Sequence, residues 1–381
     1  MNWNWENENW PEFAYDQLAL RAFEESFIKN SGILLGVCRH LDRDEQNIVR
    51  VNFLSEETLK TSEIEGEYLD RESIQSSIRF HFGLQSDRRG IKPAELGVSE
   101  MMIDLYETFA EPLTHNTLWR WQKMLCGGRR DLKDTGCYRS HTDPTQIVSG
   151  SVYEPKIHFV APPSSSVEIE MDRFMRWFNA SAPSQGSALP TLTRAGIAHL
   201  HFVSIHPFED GNGRLARALA EKSLAQAVGH PTLIALSQTI NKARKEYYKA
   251  LEQNSSTLDI TAWLVYFSKT VLAAQVSALQ MIEFIILKGK FLTRFESQIN
   301  NRQLKVLVRM FEAGPEGFKG GLSAANYMSI TKTSSATTTR DLKDLVAKGA
   351  LTTTGQRKHT RYDLKQLDAV CLRATHRQAT I

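Results

Sequence analysis

The chain has 381 residues, 41% of them hydrophobic and 23% charged, which is ordinary for a soluble globular protein of two or three domains. No uninterrupted run of about 18 apolar residues occurs, and the first residues lack the basic and apolar regions of a secretory signal, so we expect neither a membrane span nor export. The four cysteines are scattered without C-x-x-C spacing. This argues against a disulfide framework or structural zinc and predicts a cytoplasmic protein.

Charge is unevenly distributed. The net charge is +3, but residues from Asn301 onward carry 14 Lys and Arg against 6 Asp and Glu, a local charge of +8, which leaves −5 for the rest. A basic terminal module either contacts nucleic acid or is an ordinary solvated surface, and charge alone favours the second interpretation.

The N-terminal region begins with clustered aromatic residues, which favours a chain end pinned to a core. Apolar spacing predicts a helix through Leu18 and Leu34. A second helix is predicted to start at Ser55, because serine is a good N-cap residue and two glutamates follow it. This helix is expected to run through Tyr68 to a break near residues 82–83.

Helical periodicity then dominates from about Ala94 to Ser277. The apolar-spaced segments are Met101–Phe109, Leu118–Leu125, Val167–Phe178, Ala195–Ile205, Leu215–Val228, Tyr247–Leu251 and Ile260–Leu279. Two short strands, 146–149 and 156–160, interrupt this pattern. Such a hairpin is either a tolerated surface ribbon or a docking edge for an extended peptide.

The C-terminal region forms a separate pattern. An amphipathic helix at Asn301–Phe311 is followed by a glycine-rich break, two further helical stretches at Ala324–Ser329 and Ser334–Lys348, and a strand–basic turn–strand pattern. Three helices followed by a hairpin are typical of a winged helix-turn-helix.

The segment with the clearest chemistry starts at His206 and reads HPFEDGNGRLAR. Pro207 disfavours a helical conformation for His206 and pushes it toward an extended one. A glycine-rich turn then leads into the helix that starts near Leu215, where free N–H groups and the helix dipole favour an anion. Arg214 and Arg217 share one face of that helix and favour a polyphosphate.

Two further residues complete this interpretation. Asp210 is placed to hold Mg²⁺ together with phosphate oxygens, and His206 has an ordinary pKa suited to a general base. Without further information, a tight turn with its His and Asp capping the helix and its arginines paired to carboxylates is the favoured interpretation. No Walker-type phosphate loop occurs in the chain.

The full string resembles the Fic signature H-P-F-x-[D/E]-G-N-G-R-x-x-R at every specified position. The resemblance implies a mainly α fold, a helical bundle with a small β-hairpin flap, and transfer of AMP from ATP to Ser, Thr or Tyr of a target protein. It implies that His206 is the base and Asp210 the magnesium ligand. It also implies that phosphates are bound by Gly211, Asn212, Gly213, Arg214 and Arg217, with Phe208 as a core anchor.

Weaker parts of the resemblance lie outside the signature. The Ile147–Val160 hairpin matches the position of the family's flap, which implies docking of the target there and nucleotide contacts by Val148 and Ser149. Tyr247 and Tyr248 match the place of a Y-Y-x-x-L stretch near the adenine, and Asn254 is a further nucleotide-binding candidate. Both tyrosines are equally compatible with the core.

Residues 61–66, TSEIEG, fit the inhibitory pattern [S/T]-x-x-x-E-[G/N] of self-restrained Fic proteins. The resemblance implies that the Glu65 carboxylate pairs with Arg217 and takes the place of the γ-phosphate. As a bare pattern the motif is common and equally describes a surface glutamate. In some relatives such a glutamate positions water, so removal of AMP is a further expectation.

The expected organisation is an N-terminal helical region with the inhibitory helix (1–90), a Fic catalytic domain (91–285) and a winged helix (295–375) that contacts DNA or protein. A homodimer is also considered. The alternatives are another transfer on the same fold and a DNA-binding regulator whose Fic body acts as a sensor. A metal hydrolase is rejected, because His199 and His201 are two apart on a helix and do not face together.

Overall fold

The computed structural model describes residues 2–84, 93–151, 154–183, 185–314, 317–318 and 320–365. These residues form fourteen α-helices and two small antiparallel sheets. The prediction of a mainly α fold is therefore confirmed.

The N-terminal helices differ from their predicted bounds. Helix α1 spans Gln17–Arg39, α2 spans Arg43–Ile64 and α3 spans Arg71–His81. The predicted start of α2 at Ser55 is wrong, because the Ser55 hydroxyl donates to the carbonyl of Val51 inside the helix instead of capping it.

The true start of α2 is capped by Asp42, whose carboxylate accepts from the backbone N–H of Glu45 at 2.8 Å. The predicted extension through Tyr68 is also wrong. The helix ends at Ile64 because the following turn needs the left-handed Gly66, at φ 88°. A new helix then starts behind Asp70, whose side chain accepts from the N–H of Ser73.

The central helices confirm the predicted periodic segments and add one that was missed. They are α4 (Pro93–Thr108), α5 (His115–Cys126), α6 (Val167–Ala180), α7 (Thr191–Ile205), α8 (Asn212–Val228), α9 (Leu236–Lys242), α10 (Arg244–Asn254) and α11 (Thr261–Phe295). The missed helix is α9, which has seven residues and is too short to show a period.

Aromatic and aliphatic side chains from α4 to α8 form a core cluster around the site described below. Phe208 is fully buried in it, as expected of a core anchor, and Trp10 brings the N-terminal segment onto the same cluster. His201 packs edge-on against Trp10 and Phe174, and both His199 and His201 are core residues.

The predicted hairpin is present. Strand β1 (Gln146–Ser151) pairs antiparallel with β2 (Glu154–Val160), and the register shifts between Ile147 and Val148. The two residues between the strands, 152 and 153, lie outside the described residues. The ribbon carries exposed apolar side chains, those of Ile147, Val148 and Ile157.

The C-terminal elements follow the predicted order. Helices α12 (Asn301–Glu312), α13 (Ala324–Thr331) and α14 (Ser335–Ala347) precede strands β3 (Leu351–Thr354) and β4 (Arg361–Leu364), which pair antiparallel. A separate core of aliphatic and aromatic residues holds them together. The predicted winged helix extends to residue 375, and residues 366–375 lie outside the described residues. Its assignment to that class stays a prediction.

The chain divides into two compact units, Met1–Leu35 with Arg50–Gln275 and Gly36–Val49 with Val276–Ile381. The three-part division made from the sequence stays a prediction. Helix α11 is long and apolar enough to cross a membrane by length and composition, with a mean hydropathy of 1.7, but 56% of the relevant window is buried. A buried core helix meets the same criteria, so this is weak evidence for a span.

Candidate active site

The predicted base lies at the end of a helix. Helix α7 closes at His206, whose N–H donates to the carbonyl of Phe202 at 3.0 Å. His206 has φ 50° and ψ 59°, a left-handed conformation. The expected extended conformation is therefore wrong, although the helix does end before Pro207 as predicted. A non-glycine residue with positive φ is strained and is kept only where its surroundings fix it.

Arg139 fixes this conformation. Its Nε donates to the carbonyl of His206 at 2.7 Å, and its own N–H donates to the carbonyl of Pro207 at 3.0 Å. The rest of the guanidinium bonds to the Pro162 carbonyl and the Ser164 hydroxyl. Burial lowers the pKa of Arg139 to about 10, so it remains charged at neutral pH. Residue spacing did not single out this arginine, because its partners are main-chain oxygens.

The His206 side chain is half-buried and neutral at physiological pH. Burial, and after it the charge of Arg139, lower its pKa to about 4, while the Val203 backbone and the carboxylates of Glu65 and Asp210 act in the opposite direction. Among the described residues its Nδ1 has no hydrogen-bond partner of good geometry. A neutral imidazole is the form that a general base requires.

The glycine-rich turn is closed by hydrogen bonds of its own. Gly211 has φ 89° and precedes the first residue of α8. The Asn212 amide then closes the loop on itself, accepting from the Phe208 N–H at 3.0 Å and donating to the Phe208 carbonyl at 2.8 Å. The Asn212 side chain therefore shapes the loop, and the first N–H groups of α8 have no partners within the helix. This arrangement suits an anion.

Arg217 projects from α8 and is 1% exposed. Its Nη2 donates to Glu65 Oε1 at 2.8 Å and to the carbonyl of Thr61 at 2.8 Å, and its Nε donates to the Thr61 hydroxyl at 2.9 Å. Burial, the largest single influence, acts to lower the pKa of Arg217, but the Glu65 carboxylate together with Tyr247 and Tyr248 outweighs it and the pKa is raised. Arg217 Nη1 is buried and has no partner within the described part of the chain.

The helix that ends directly before Glu65 is held by further polar contacts. Glu57, buried at 7% exposure, accepts from the backbone N–H of Ser237 at 2.8 Å and also from its hydroxyl. Tyr248 donates to the carbonyl of Ile64 at 3.2 Å. These contacts fix the end of α2 where its last turn meets Arg217.

Arg214, 2% exposed, meets a second set of acids. Its Nη1 donates to Glu67 at 2.5 Å and its Nη2 lies 3.5 Å from Asp210. Asp210 also accepts from the N–H of Gly211 at 2.6 Å and from Arg129 at 2.8 Å. Sequence reasoning missed Glu67 and Arg129, since neither belongs to a recognisable pattern.

Asp210 is the expected magnesium ligand. No group of three or more His, Cys, Asp and Glu in the described ranges is arranged to hold a metal ion. Mg²⁺ bound with a nucleotide needs only one or two protein carboxylates. The Asp210 side chain is 33% exposed at the lip of the loop, so it fits as a single ligand shared with phosphate oxygens.

The remaining nucleotide candidates divide into two groups. Tyr247 lies near Arg217 and is buried, and its hydroxyl is 3.0 Å from Nε2 of His199, whereas Tyr248 is 39% exposed. The other candidates have their contacts away from the loop. Ser149 bonds to His158, Val148 is exposed on the ribbon, and buried Asn254 donates to the carbonyl of Ala250 in its own helix.

Comparison with known proteins agrees with this geometry. The family model described as "Fic/DOC family" matches residues 112–224. These residues include the loop, the start of α8 and Arg139. The chain contains a Fic domain. A second description, a domain of unknown function (DUF4172), matches residues 3–84, which include Glu65 and Glu67.

Curated relatives match the same part of the protein over a short length. The protein adenylyltransferase Fic of Drosophila yakuba is 36% identical over 115 residues, 29% of this chain and 21% of the relative. The corresponding protein of Drosophila mojavensis is 34% identical over the same length. The chain thus spans about a fifth of the length of the curated relatives that it matches.

Two crystal structures share the fold. One is a Fic family protein from Desulfovibrio desulfuricans G20, with a TM-score of 0.52 at 20% identity, covering 93% of this chain and 98% of the other. The second is a Fic domain containing signaling protein from Bacteroides thetaiotaomicron, with a TM-score of 0.52 at 18% identity, covering 68% of this chain and 97% of the other. At these identities the likeness concerns the fold alone.

Proposed function

We propose that this Fic domain transfers AMP from ATP to a hydroxyl group of a target protein and of itself. The observation that carries the proposal is the position of His206. Its neutral imidazole follows α7 immediately before the turn whose N–H groups start α8, and the buried Arg214 and Arg217 project from that helix. A base, an anion site and two guanidiniums are what nucleotidyl transfer needs.

In the proposed reaction His206 accepts the proton of the target hydroxyl as its oxygen attacks the α-phosphorus of ATP. The bond from the α-phosphorus to the bridging oxygen breaks, and pyrophosphate leaves. The N–H groups of Gly213 and Arg214, together with the two arginine side chains, would bind the phosphates and hold the α-phosphorus in line. Magnesium held by Asp210 would neutralise phosphate charge.

Glu65 is proposed to restrain this activity. Its carboxylate holds the Nη2 group of Arg217, the group proposed to bind the γ-phosphate, and it adds a negative charge where that phosphate would lie. The same carboxylate could orient water toward an AMP-modified hydroxyl, which would remove AMP. The target is proposed to dock on the open β1–β2 ribbon by main-chain pairing.

The test is incubation with ATP labelled at the α- or the γ-phosphate, using wild type, Glu65→Gly and Glu65→Gly/His206→Ala. We expect α-label on protein to rise in Glu65→Gly and to disappear without His206. Protein labelled from the γ position alone would replace the proposal with a kinase. Equal labelling of wild type and Glu65→Gly would contradict inhibition by Glu65. Faster loss of AMP from pre-labelled wild type than from pre-labelled Glu65→Gly would support removal of AMP by the same site.

A second candidate function, DNA contact by the C-terminal elements, is favoured by the charges of α14. Its two acids are both paired within the C-terminal elements: Asp341 is 4% exposed and pairs with Arg302, while the partly exposed Asp344 bonds to Gln303 and pairs with Lys348. Its outward cations, Arg340 and Lys343, are exposed and make no ion pair in the described ranges. Small residues, Ser335, Ala336 and Thr339, share that outward surface, so a groove could approach closely.

This candidate predicts binding of duplex DNA that weakens steeply with salt and is lost in Arg340→Ala/Lys343→Ala. The matched control is Lys305→Ala, an exposed cation on α12. If the double variant and the control bind duplex DNA equally, α14 is not a nucleic-acid surface, and protein docking becomes the better proposal. A cytoplasmic location and a homodimer also remain proposals, testable by fractionation and by light scattering.

A further inference from the structure

The turn behind α2 carries two acids, and each holds a different arginine of the Fic signature. Glu65 contacts Arg217 at 2.8 Å, and Glu67, two residues later, contacts Arg214 at 2.5 Å. Gly66, at φ 88°, lies between them and reverses the chain, so that both carboxylates reach the start of α8. The inhibitory pattern in the sequence includes only the first of these acids.

Glu67 also belongs to a closed ring of alternating charges. Arg214 contacts Glu67 and lies 3.5 Å from Asp210, while Arg129 lies 2.8 Å from Asp210 and 3.9 Å from Glu67. Each acid of the ring therefore meets the same two guanidiniums. The ring includes Asp210, the expected magnesium ligand, and Arg214, an expected phosphate ligand.

We infer that Glu67 is a second inhibitory residue, which restrains Arg214 as Glu65 restrains Arg217. The inference rests on the proposed function in one respect, that Arg214 binds phosphate. Nucleotide binding then requires two exchanges. A phosphate must replace Glu65 as the partner of Arg217, and a phosphate must replace Glu67 as the partner of Arg214. Removing Glu65 alone completes only the first exchange.

Burial makes the second exchange costly. The Arg214 side chain is 2% exposed, so it cannot turn to solvent when a phosphate arrives, whereas Glu67 is 37% exposed and is the partner that moves. A buried guanidinium holds a carboxylate more strongly than an exposed one, because the local dielectric constant is lower. While Glu67 stays, the positive charge of Arg214 is cancelled, and incoming phosphates meet an added negative charge.

An ordinary surface ion pair would behave differently. Removing one partner of such a pair changes little, since exposed pairs contribute little. An inhibitory Glu67 must change nucleotide affinity, and it must do so only while Arg214 is present. Glu63 provides the matched control: it is a glutamate of the last turn of α2, and its carboxylate pairs with Lys60 instead of Arg214 or Arg217.

The experiment is calorimetric titration of the full chain with a non-hydrolysable ATP analogue and Mg²⁺. The variants are Glu65→Gly, Glu67→Gln, the double variant, and Glu63→Gln in the Glu65→Gly background. We expect Glu67→Gln to tighten the Kd about tenfold in the Glu65→Gly background, the order expected for a charge-assisted contact. Glu63→Gln should leave the Kd unchanged, and in Glu65→Gly/Arg214→Ala the Glu67→Gln effect should vanish.

Several outcomes would overturn the inference. An unchanged Kd, or a weaker one because Glu67 orients Arg214 for the nucleotide, would contradict an inhibitory role. A Glu67→Gln effect that survives without Arg214 would place its cause elsewhere. The calorimetric test measures nucleotide binding and not AMP transfer, so the two proposals can fail separately. If Glu67→Gln lowers the Kd while no protein is labelled from ATP, the proposed reaction is rejected and the inhibitory role of Glu67 stands. Glu67→Ala provides a second variant if Glu67→Gln unfolds.

Discussion

The Glu65 carboxylate lies directly against Gly213: a methyl group on Gly213 would be 2.2 Å from Glu65 Oε1 and 3.3 Å from Arg217 Nη1. Gly213 is the second residue of α8, where backbone N–H groups have no helical partner. The acid therefore occupies the space over the helix start that the proposal assigns to phosphate.

Gly213→Ala tests whether Glu65 and phosphate share one space. We expect the methyl group to displace the Glu65 carboxylate, which lowers the free energy of unfolding by about 1–2 kcal/mol through loss of a charge-assisted contact. Labelling from ATP should nevertheless stay low, because phosphate meets the same methyl group. If Glu65→Gly/Gly213→Ala is labelled as strongly as Glu65→Gly, then Glu65 and phosphate do not occupy the same space. Gly32→Ala, in open space on α1, is the matched control.

Arg139 is expected to act on the reaction only by positioning His206. Lysine at 139 keeps the positive charge but cannot hold the His206 carbonyl and the Pro162 carbonyl together, so the imidazole shifts. A displacement of about 1 Å at a reacting group costs on the order of a hundredfold in rate. We therefore expect Arg139→Lys in the Glu65→Gly background to reduce kcat with little change in the KM for ATP. A raised KM with unchanged kcat would assign Arg139 to nucleotide binding instead.

Most helices and both hairpins could be predicted because their signals are local and periodic, whereas α9 is too short to show a period. The bounds of α2 could not, since Ser55 resembles a cap in sequence while the Asp42 carboxylate actually caps the start of the helix. Similarly, Pro207 predicts only that α7 ends. The left-handed conformation of His206 depends on Arg139, which is 67 residues away in the chain.

The candidate site shows the same limit. The contact between Glu65 and Arg217 could be expected from a two-part pattern, whereas the contact between Glu67 and Arg214 joins residues 147 apart that share no motif. Long-range ion pairs depend on how helices pack, and helix packing has no local signature. The same applies to the anchoring of α2 by Glu57.

The N-terminal tryptophans are expected to support the flap. The indole of Trp5 donates to the carbonyl of Val160 at 2.7 Å, at the base of β2. Trp5→Phe keeps a ring and loses this bond, so we expect amide hydrogen exchange in β2 to quicken about fivefold, the equivalent of about 1 kcal/mol. Trp119→Phe is the control, because the Trp119 indole N–H has no partner in the described part of the chain. Equal rates of amide hydrogen exchange in β2 of the two variants would show that Trp5 does not stabilise the strand.

His201 is expected to make stability depend on pH. It is 2% exposed among aromatic rings, and burial lowers its pKa to about 3. In the unfolded chain the His201 imidazole has a pKa near 6.5 and therefore binds a proton more readily than in the folded protein. His201 consequently lowers the free energy of unfolding progressively as pH falls from about 6.5 toward 3, and it has no such effect above pH 6.5.

His201→Phe removes this titrating group from both the folded and the unfolded chain. The free energy of unfolding of the variant, measured by urea titration relative to wild type, should therefore rise between pH 7 and pH 5 by about 2 kcal/mol, since each proton contributes about 1.4 kcal/mol per pH unit. Phe174→Leu changes the same cluster without a titrating group, so its difference from wild type should be independent of pH. A pH-independent difference for His201→Phe as well would mean that the folded protein binds a proton at His201 as readily as the unfolded chain.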